Sequence, residues 1–183
     1  MPESAVRLPD YRDGSLLNLV ASLAAARGAE TGHAPLAALP PERLAGARNL
    51  VFFLIDGLGY NYLAAVGRGG ALAAHLTGSL TSVFPSTTAS AITTVFTGLS
   101  PAQHGLTGWF TWFPEADAIA APLPFRRRGE DQPLGELGST AERLLDSPPL
   151  FDRLQARAIV VSQRRIVDSD YSRHFGGGSE RRS

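Results

Sequence analysis

The sequence predicts an α/β fold with a mostly parallel sheet and helices on both faces, and three observations support this. The apolar run from Leu50 to Ile55 is too uniformly hydrophobic for a half-exposed strand, so it predicts a central parallel strand covered on both sides. A second β-favouring run covers residues 79–84. Helical patterns follow both runs, and this alternation favours right-handed crossovers between parallel strands.

Residues 1–47 are predicted as a lead-in of one helix and a loop. Asp13 is the candidate cap of a helix over residues 14–27, where leucine, valine and alanine recur at helical spacing. Gly28 is expected to end this helix. Alanine and proline then predict a surface connection.

Residues 48–109 hold the candidate chemistry. Asp56 directly follows the first predicted strand, and helical pieces are expected over residues 58–66 and 70–76. After the second strand, a helix is predicted over residues 87–96, with Ser86 as its cap.

The segment 110–138 is predicted as a loop that carries aromatic and arginine side chains. We expect its aromatics to pack the loop onto the body, although they could also stack on a planar leaving group. The arginines at 126–128 are expected in a solvated turn rather than on a phosphate group.

Residues 139–183 resume the α/β alternation. Helices are predicted over 139–145 and 150–155, and a strand over 158–162. The glycine-rich end, Tyr171 to Ser183, is predicted to lie outside any packed element.

Bulk composition narrows the function classes. The chain has 183 residues, 44% of them hydrophobic, which fits one folded domain. Seventeen basic residues balance seventeen acidic ones, so charge alone predicts no nucleic-acid or membrane binding. Without cysteine, a metal would need carboxylate, imidazole or hydroxyl ligands. No signal peptide or membrane span is recognisable, so a soluble, cytoplasmic protein is expected, whose oligomeric state the sequence leaves open.

Familiar phosphate-binding and hydrolase motifs do not fit. A dinucleotide loop beginning at Gly57 would need a third glycine where Tyr62 stands, and the carboxylate of Asp56 would repel a pyrophosphate. Neither a P-loop nor a serine-hydrolase elbow occurs in the sequence.

Asp56 and Thr88 form a more coherent pair. Both are expected beyond the carboxyl ends of neighbouring strands, where ligands bind in parallel sheets. A cation between them would lower the pKa of the Thr88 hydroxyl and prepare it for attack on phosphorus. The plainer alternative is that each residue only caps the helix that follows it.

Four motifs in order resemble the type I phosphodiesterase/nucleotide pyrophosphatase branch of the alkaline phosphatase superfamily. They are Asp56-Gly-Leu-Gly59, Phe84-Pro-Ser-Thr-Thr-Ala89, Thr97-Gly98 and Pro101-x-x-His104-Gly105. The resemblance implies an alkaline phosphatase-like fold and hydrolysis of phosphodiester or nucleotide pyrophosphate bonds. The partner would be a small phosphate ester or nucleotide substrate.

The resemblance also implies roles for single residues. Thr88, nine positions before Thr97, would be the nucleophile and form a phosphothreonine intermediate that a metal-bound hydroxide hydrolyses; Thr87 is the fallback. Asp56, with Thr88, would ligate one of two divalent ions, zinc in this family. His104 would shape its loop rather than take part in the chemistry.

Three departures from the family pattern leave alternatives open. Trp109 stands where these enzymes usually place an asparagine, so Trp109 is a candidate substrate contact. The further Asp and His ligands of the family do not follow, and Asp170-x-x-x-His174 resembles a metal motif in the wrong place. The sequence therefore resembles only the amino-terminal half of these enzymes, which implies a fold that is incomplete at its carboxyl-terminal end. The chain is either a phosphodiesterase, a truncated and catalytically incomplete domain of that family, or a phosphomonoesterase or phosphomutase of the superfamily.

Overall fold

The computed structural model describes residues 7–183, so the first six residues of the predicted lead-in lie outside the described part of the chain. Within that part, nine α-helices form: α1 Leu16–Ala25, α2 Glu42–Ala45, α3 Tyr60–Val66, α4 Ala71–Ala74, α5 Thr88–Thr97, α6 Pro101–His104, α7 Ala141–Leu144, α8 Arg164–Val167 and α9 Asp170–Gly176. The strands there are β1 Thr111–Phe113, β2 Ala118–Ala121, β3 Arg126–Arg127, β4 Ile159–Val161 and β5 Glu180–Arg182. Single turns of 3-10 helix cover Pro114–Ala116, Leu134–Leu137 and Phe151–Arg153.

Helix α5 lies at the centre of the packing. It contacts α1, α6 and α9. Its residue Val95 packs against two smaller apolar clusters, one with Val20 and one with Leu17. The main core lies between α5, the β1–β3 sheet and α9, and consists of Ala89, Phe96, Leu106, Phe113, Ala118, Ala120, Leu123, Phe125, Leu134, Ala141, Leu145, Tyr171 and Phe175. Helix α5 is therefore held from several sides.

The first helix forms where predicted but begins two residues later. Ser15, not Asp13, is the N-cap, because Asn18 accepts hydrogen bonds from both the backbone N–H and the hydroxyl of Ser15. Gly28 follows the helix with a positive φ of 76°, as a C-terminal glycine often does.

Helix α5 also forms as predicted, with a different cap. Thr87 takes the N-cap position expected for Ser86, and its hydroxyl accepts from the backbone N–H of Ser90. Gly98 ends the helix with a φ of 71°, a conformation that glycine adopts without strain.

Neither predicted strand, Leu50–Ile55 or residues 79–84, forms in the described part of the chain. Leu50–Ile55 pairs with no strand there, and Val51 and Phe53 are 90% and 79% exposed. In the second run, only Thr81 makes an isolated parallel bridge, to Ser15. The prediction equated an apolar run with burial, but a parallel strand is buried only when neighbours pair with it and helices cover it. Apart from this bridge, parallel pairing among the described residues is confined to β4 and β5.

The predicted loop over 110–138 is also wrong in part. Strands β1, β2 and β3 form an antiparallel sheet in that order, and Asp117 turns the chain between the first two with a φ of 45°. Strands of two to four residues are too short to give a clear period-2 pattern, which is why the sequence indicated a loop.

The carboxyl-terminal segment is packed, contrary to the prediction. Helix α9 buries Tyr171 and Phe175, and β5 pairs in parallel with β4, the strand expected over 158–162. The glycine-rich connection lets the backbone approach closely, and the N–H of Gly178 donates to the carboxylate of Asp152 at 2.7 Å.

The remaining predicted helices are shorter than expected. Helices α3, α4 and α7 lie within the ranges 58–66, 70–76 and 139–145, and the range 150–155 holds a single 3-10 turn. Within residues 7–183, no helix is long and apolar enough to cross a membrane.

Candidate active site

Asp56 and Thr88 are separated by 32 positions in sequence and meet in space. The Thr88 hydroxyl donates a hydrogen bond to Oδ2 of Asp56 at 2.9 Å. Both residues line one open cavity of about 730 Å³, together with residues of α3 and α5. The structure therefore brings together the carboxylate and the hydroxyl that the sequence singled out.

Different local structures position the two side chains. Asp56 begins a turn in which Gly57 has a φ of 76° and Gly59 precedes α3 as its N-cap. Thr88 is the first residue of α5, where the backbone N–H groups of a helix have no partner within the helix. The positive end of the α5 dipole thus lies beside the hydroxyl and favours an anion there.

Thr87 differs from Thr88 in its contacts. The Thr87 hydroxyl caps α5 and lies 3.0 Å from the Ser90 hydroxyl. The Thr88 hydroxyl instead contacts a carboxylate in the cavity. Of the two threonines, Thr88 has the geometry expected of a nucleophile next to an acceptor.

Buried hydrogen bonds hold α5 behind the cavity. Thr93 donates to the carbonyl of Ala89 at 2.7 Å, and the Tyr171 hydroxyl lies 2.8 Å from the Thr93 hydroxyl. Because Thr93 uses its only proton on the carbonyl, the Tyr171 phenol is the donor between them. Burial raises the pKa of Tyr171, so the phenol keeps its proton.

His104 lies behind α5 and does not line the cavity. Its Nδ1 accepts from the backbone N–H of Leu106 at 3.1 Å, which places the proton on Nε2, 3.3 Å from the Thr94 hydroxyl. Burial lowers the pKa of His104 to about 4, so the ring is neutral at pH 7. These contacts fit the loop-shaping role implied by the resemblance.

Trp109 lines the same cavity as Asp56 and Thr88 and is 38% exposed. The other aromatics of this region divide between two environments: Phe113 is buried in the core, whereas Phe110 and Trp112 are exposed. The expectation that they all pack onto the body is therefore wrong for part of the cluster.

The arginines at 126–128 lie at the surface, but only Arg128 is in a turn; Arg126 and Arg127 form strand β3, so the predicted turn is wrong for these two. Arg126 pairs with Asp131, and Arg127 pairs with Glu130 at 3.2 Å. Arg128 stacks over the ring of Phe110, 4.7 Å from its centre. All three guanidinium groups are thus engaged away from the cavity.

Asp170 and His174 do not act together as a ligand pair. Asp170 pairs with Arg173 at 3.1 Å, and Nε2 of His174 lies 3.0 Å from the carbonyl oxygen of Leu145. No group of three or more His, Asp or Glu side chains within residues 7–183 is placed to hold a metal ion. Asp56 is the only carboxylate among the described residues that line the cavity.

Several hydroxyl groups that were not predicted as site residues also line the cavity, although Ser86 was expected as a helix cap. Ser82 and Ser86 precede α5, and Tyr60 begins α3. Their proximity to the predicted nucleophile in sequence was the available signal for the two serines. Tyr60 required the position of α3, which periodicity alone did not give.

Comparison with known families adds one finding. The family model described as type I phosphodiesterase / nucleotide pyrophosphatase matches residues 50–167, which is more than half of the chain. The match includes Asp56, Thr88 and Trp109 and ends before Asp170. Neither the curated proteins nor the solved structures gave a match.

Proposed function

The chain belongs to the type I phosphodiesterase/nucleotide pyrophosphatase family, and we propose from this that Thr88 is the nucleophile of a phosphodiester or nucleotide pyrophosphate hydrolase. The observation that carries the proposal is the 2.9 Å hydrogen bond from the Thr88 hydroxyl to Asp56 within one cavity. We also propose an alkaline phosphatase-like fold in which residues 48–109 form the catalytic part of the domain.

The side chains of this cavity can perform the first chemical step. The Thr88 oxygen forms a bond to phosphorus while the bond from phosphorus to the leaving oxygen breaks, and the hydroxyl proton passes to the carboxylate of Asp56. Backbone N–H groups at the start of α5 face the negative phosphoryl oxygens. A water molecule then attacks the phosphorus of the phosphothreonine intermediate, which still carries the second ester group. The bond from phosphorus to the Thr88 oxygen breaks, Asp56 returns its proton to that oxygen, and the water gives up a proton to the solvent as the second product leaves.

We propose Trp109 as the contact for a planar leaving group. Its indole lines the cavity with Asp56 and Thr88 and is partly exposed, so a ring could stack on it. An exposed stacking partner favours binding of the leaving group without taking part in the bond changes.

The family's metal dependence is only partly matched by these residues. Asp56 and Thr88 are the ligands we propose for a divalent ion, with zinc the metal that the family resemblance implies. One carboxylate and one hydroxyl do not fit a closed two-ion centre, which needs three or four protein ligands for each ion. Further ligands beyond the described ones would be required for such a centre.

This shortage of ligands favours a second candidate function. A chain with one carboxylate in its cavity could be a catalytically incomplete domain with weak metal affinity. Such a domain would keep the Asp56–Thr88 pair and the α5 N-terminus but would turn over substrate poorly.

Hydrolysis of bis(p-nitrophenyl) phosphate with added zinc tests the proposal. We expect turnover by the parent chain that Thr88→Ala reduces by at least about 100-fold, since removal of a nucleophile leaves only binding and electrostatic effects. Thr87→Ala is the matched control, because it removes a neighbouring hydroxyl of the same kind.

The possible outcomes separate the candidates. Loss of activity in Thr88→Ala with retention in Thr87→Ala supports Thr88, and the reverse pattern identifies Thr87. Full activity in both variants overturns a threonine nucleophile. Absence of turnover in a folded parent chain supports the incomplete domain, and circular dichroism establishes that all three proteins are folded.

A further inference from the structure

Arg153 connects the carboxyl end of α5 to the loop that follows α1. Its Nη2 donates to the carbonyl oxygen of Thr97, the last residue of α5, at 2.7 Å, and its Nη1 donates to the carbonyl oxygen of Glu30 at 2.8 Å. The last carbonyl groups of a helix have no partner within the helix. One planar guanidinium group therefore binds both segments at the place where α5 needs a donor.

The charge of Arg153 also suits this position. The carboxyl end of a helix carries partial negative charge, which a cation stabilises. No carboxylate among residues 7–183 forms an ion pair with Arg153, so its charge acts on the helix end. Hydrogen bonds from a charged donor are also stronger than those from a neutral one.

Neighbouring residues strengthen the same junction. The backbone N–H of Leu150 donates to the carbonyl oxygen of Phe96 at 2.7 Å, and the ring of Phe151 packs edge-on against the Phe96 ring with 5.3 Å between the ring centres. A Cβ atom on Gly98 would lie 2.7 Å from the methyl group of Thr31, so the loop after α1 approaches α5 as closely as glycine allows. The carboxyl end of α5 is therefore a packed joint.

We propose that Arg153 is a positioning residue for the nucleophile, because it fixes the direction of α5 and thereby the place of Thr88 at the opposite end. This inference rests on the proposed function of Thr88. Helix α5 has ten residues and is about 15 Å long. A helix of this length moves as a rigid unit, so a small tilt at the end that Arg153 holds displaces the Thr88 hydroxyl. A displacement of about 1 Å at a reacting atom can lower a rate by about 100-fold.

Other contacts hold different parts of α5. The Thr87 hydroxyl caps the first turn, and the Tyr171 hydroxyl bonds to Thr93 near the middle. A rod held near its middle can still tilt, whereas a second attachment at its end defines its direction. Among the described residues, the donors that attach this end to the rest of the chain are the backbone N–H of Leu150 and the side chain of Arg153. Of these two donors, Arg153 is the one that a substitution can remove.

Hydrolysis of bis(p-nitrophenyl) phosphate with added zinc measures the effect on the reaction. Arg153→Ala should lower kcat at least about fivefold and change KM by less than about twofold, because the substrate contacts stay in place while the reacting atoms are displaced. Arg153→Lys keeps the charge and one donor, so its kcat should lie between that of the alanine variant and that of the parent chain. Arg43→Ala is the matched control, since Arg43 is also exposed and donates to a backbone carbonyl, that of Ala38 at 3.1 Å, but lies on α2. Its kcat should equal that of the parent chain.

Guanidinium rescue separates positioning from a general loss of stability. Arg153 is exposed, so its truncation to alanine leaves a space that solvent ions can enter. A free guanidinium ion can donate to the same two carbonyl oxygens. At concentrations that do not unfold the chain, guanidinium chloride should raise the kcat of Arg153→Ala several-fold, whereas sodium chloride at the same ionic strength should not. Arg43→Ala should respond to neither salt.

The NMR signal of the Thr88 methyl group reports the position of this residue without turnover. In a chain with isotope-labelled threonine methyl groups, Thr88→Ser identifies the signal. We expect Arg153→Ala to shift it, guanidinium chloride to shift it back, and Arg43→Ala to leave it in place. A parent chain without turnover would contradict the proposed function, and the Thr88 signal would still test the positioning.

Several results would overturn the proposal. If folded Arg153→Ala kept the parent kcat and the parent Thr88 signal, Arg153 would not position Thr88. A rise in KM at unchanged kcat would assign Arg153 to substrate binding instead. A loss of kcat that neither lysine nor guanidinium reversed would indicate a role in the stability of the fold alone. Circular dichroism establishes which variants are folded, and Arg153→Lys carries the test if alanine unfolds the chain.

Discussion

Helix α5 and the segment Leu50–Ile55 meet at the cavity, yet the rest of the chain holds them very differently. Helix α5 is capped at its first turn, is hydrogen-bonded through Thr93 to the buried Tyr171, and contacts three other helices. The segment Leu50–Ile55 is more hydrophobic, yet the side chains of residues 51–55 are exposed and the backbone of residues 50–54 forms no hydrogen bond among the described residues. The hydroxyl side of the site thus belongs to the core, whereas few contacts within residues 7–183 hold the carboxylate side.

The two sides of the site therefore differ in which contacts fix their positions. Residues of α5 keep their positions through contacts inside the described chain, so Thr88 is presented whether or not anything binds. Asp56 follows a segment whose own contacts are few, and its position depends more on the hydrogen bond to Thr88. Substitutions on the two sides should therefore differ in how much they lower the free energy of unfolding.

The largest expected effect comes from paired truncations of phenylalanine. Phe175→Ala should lower the free energy of unfolding by about 3–5 kcal/mol, because the ring is 1% exposed and packs against Tyr171. Phe53→Ala should change it by less than about 0.5 kcal/mol, because this side chain is 79% exposed. Urea unfolding measures both changes, and equal costs would remove the contrast between the core and the segment Leu50–Ile55.

A smaller loss of stability is expected at acidic pH, because His104 is buried behind the helix that carries Thr88. Burial lowers the pKa of His104 from 6.5 to about 4, so below pH 6.5 the unfolded chain binds a proton that the folded chain does not. Stability is therefore lost as the pH falls from about 6.5 to about 4, by about 3 kcal/mol at most. Urea unfolding at pH 7.5, 6 and 4.5 should show a steeper loss in the parent chain than in His104→Gln. Identical pH slopes would contradict the neutral, buried ring.

The smallest expected effect is at the helix cap. Thr87→Ala removes the hydroxyl that accepts from Ser90 and should cost about 1 kcal/mol of stability, while Thr87→Ser should cost much less because it keeps that acceptor. Thermal unfolding of the two variants checks the difference. If alanine and serine were equally destabilising, the lost methyl group rather than the cap would be the cause.

Sequence reasoning worked where local signals were strong. Helices α1 and α5 combine helical periodicity with a nearby capping residue and a terminal glycine, so their existence and approximate bounds followed. The sequence did not identify the capping residue of either helix. Serine, threonine and aspartate can all cap a helix, and the choice depends on which side-chain and backbone groups come within hydrogen-bond distance.

Non-local features were beyond the sequence. Hydrophobicity of Leu50–Ile55 indicated a buried strand, but burial depends on pairing partners that periodicity does not report. The short strands β1–β3 and the packing of Tyr171 and Phe175 in α9 depend on tertiary contacts rather than on local pattern.

At the candidate site, the sequence predicted that Asp56 and Thr88 lie close together, but the structural reason for this prediction was wrong. Asp56 and Thr88 were expected to meet because both would follow parallel strands. In the structure they are hydrogen-bonded although neither follows an assigned strand. The turn after Asp56 and the start of α5 are enough to bring them together. Their chemical roles remain a proposal.

The central claim is that the Thr88 oxygen bonds to phosphorus. The most direct measurement is to incubate the chain with bis(p-nitrophenyl) phosphate and zinc, quench with acid, and locate phosphorylated residues by peptide mass spectrometry. We expect a phosphoryl adduct on Thr88 that is absent from Thr88→Ala and unchanged in Thr87→Ala. An adduct on Thr87, or turnover of the diester with Thr88 never modified, would contradict it.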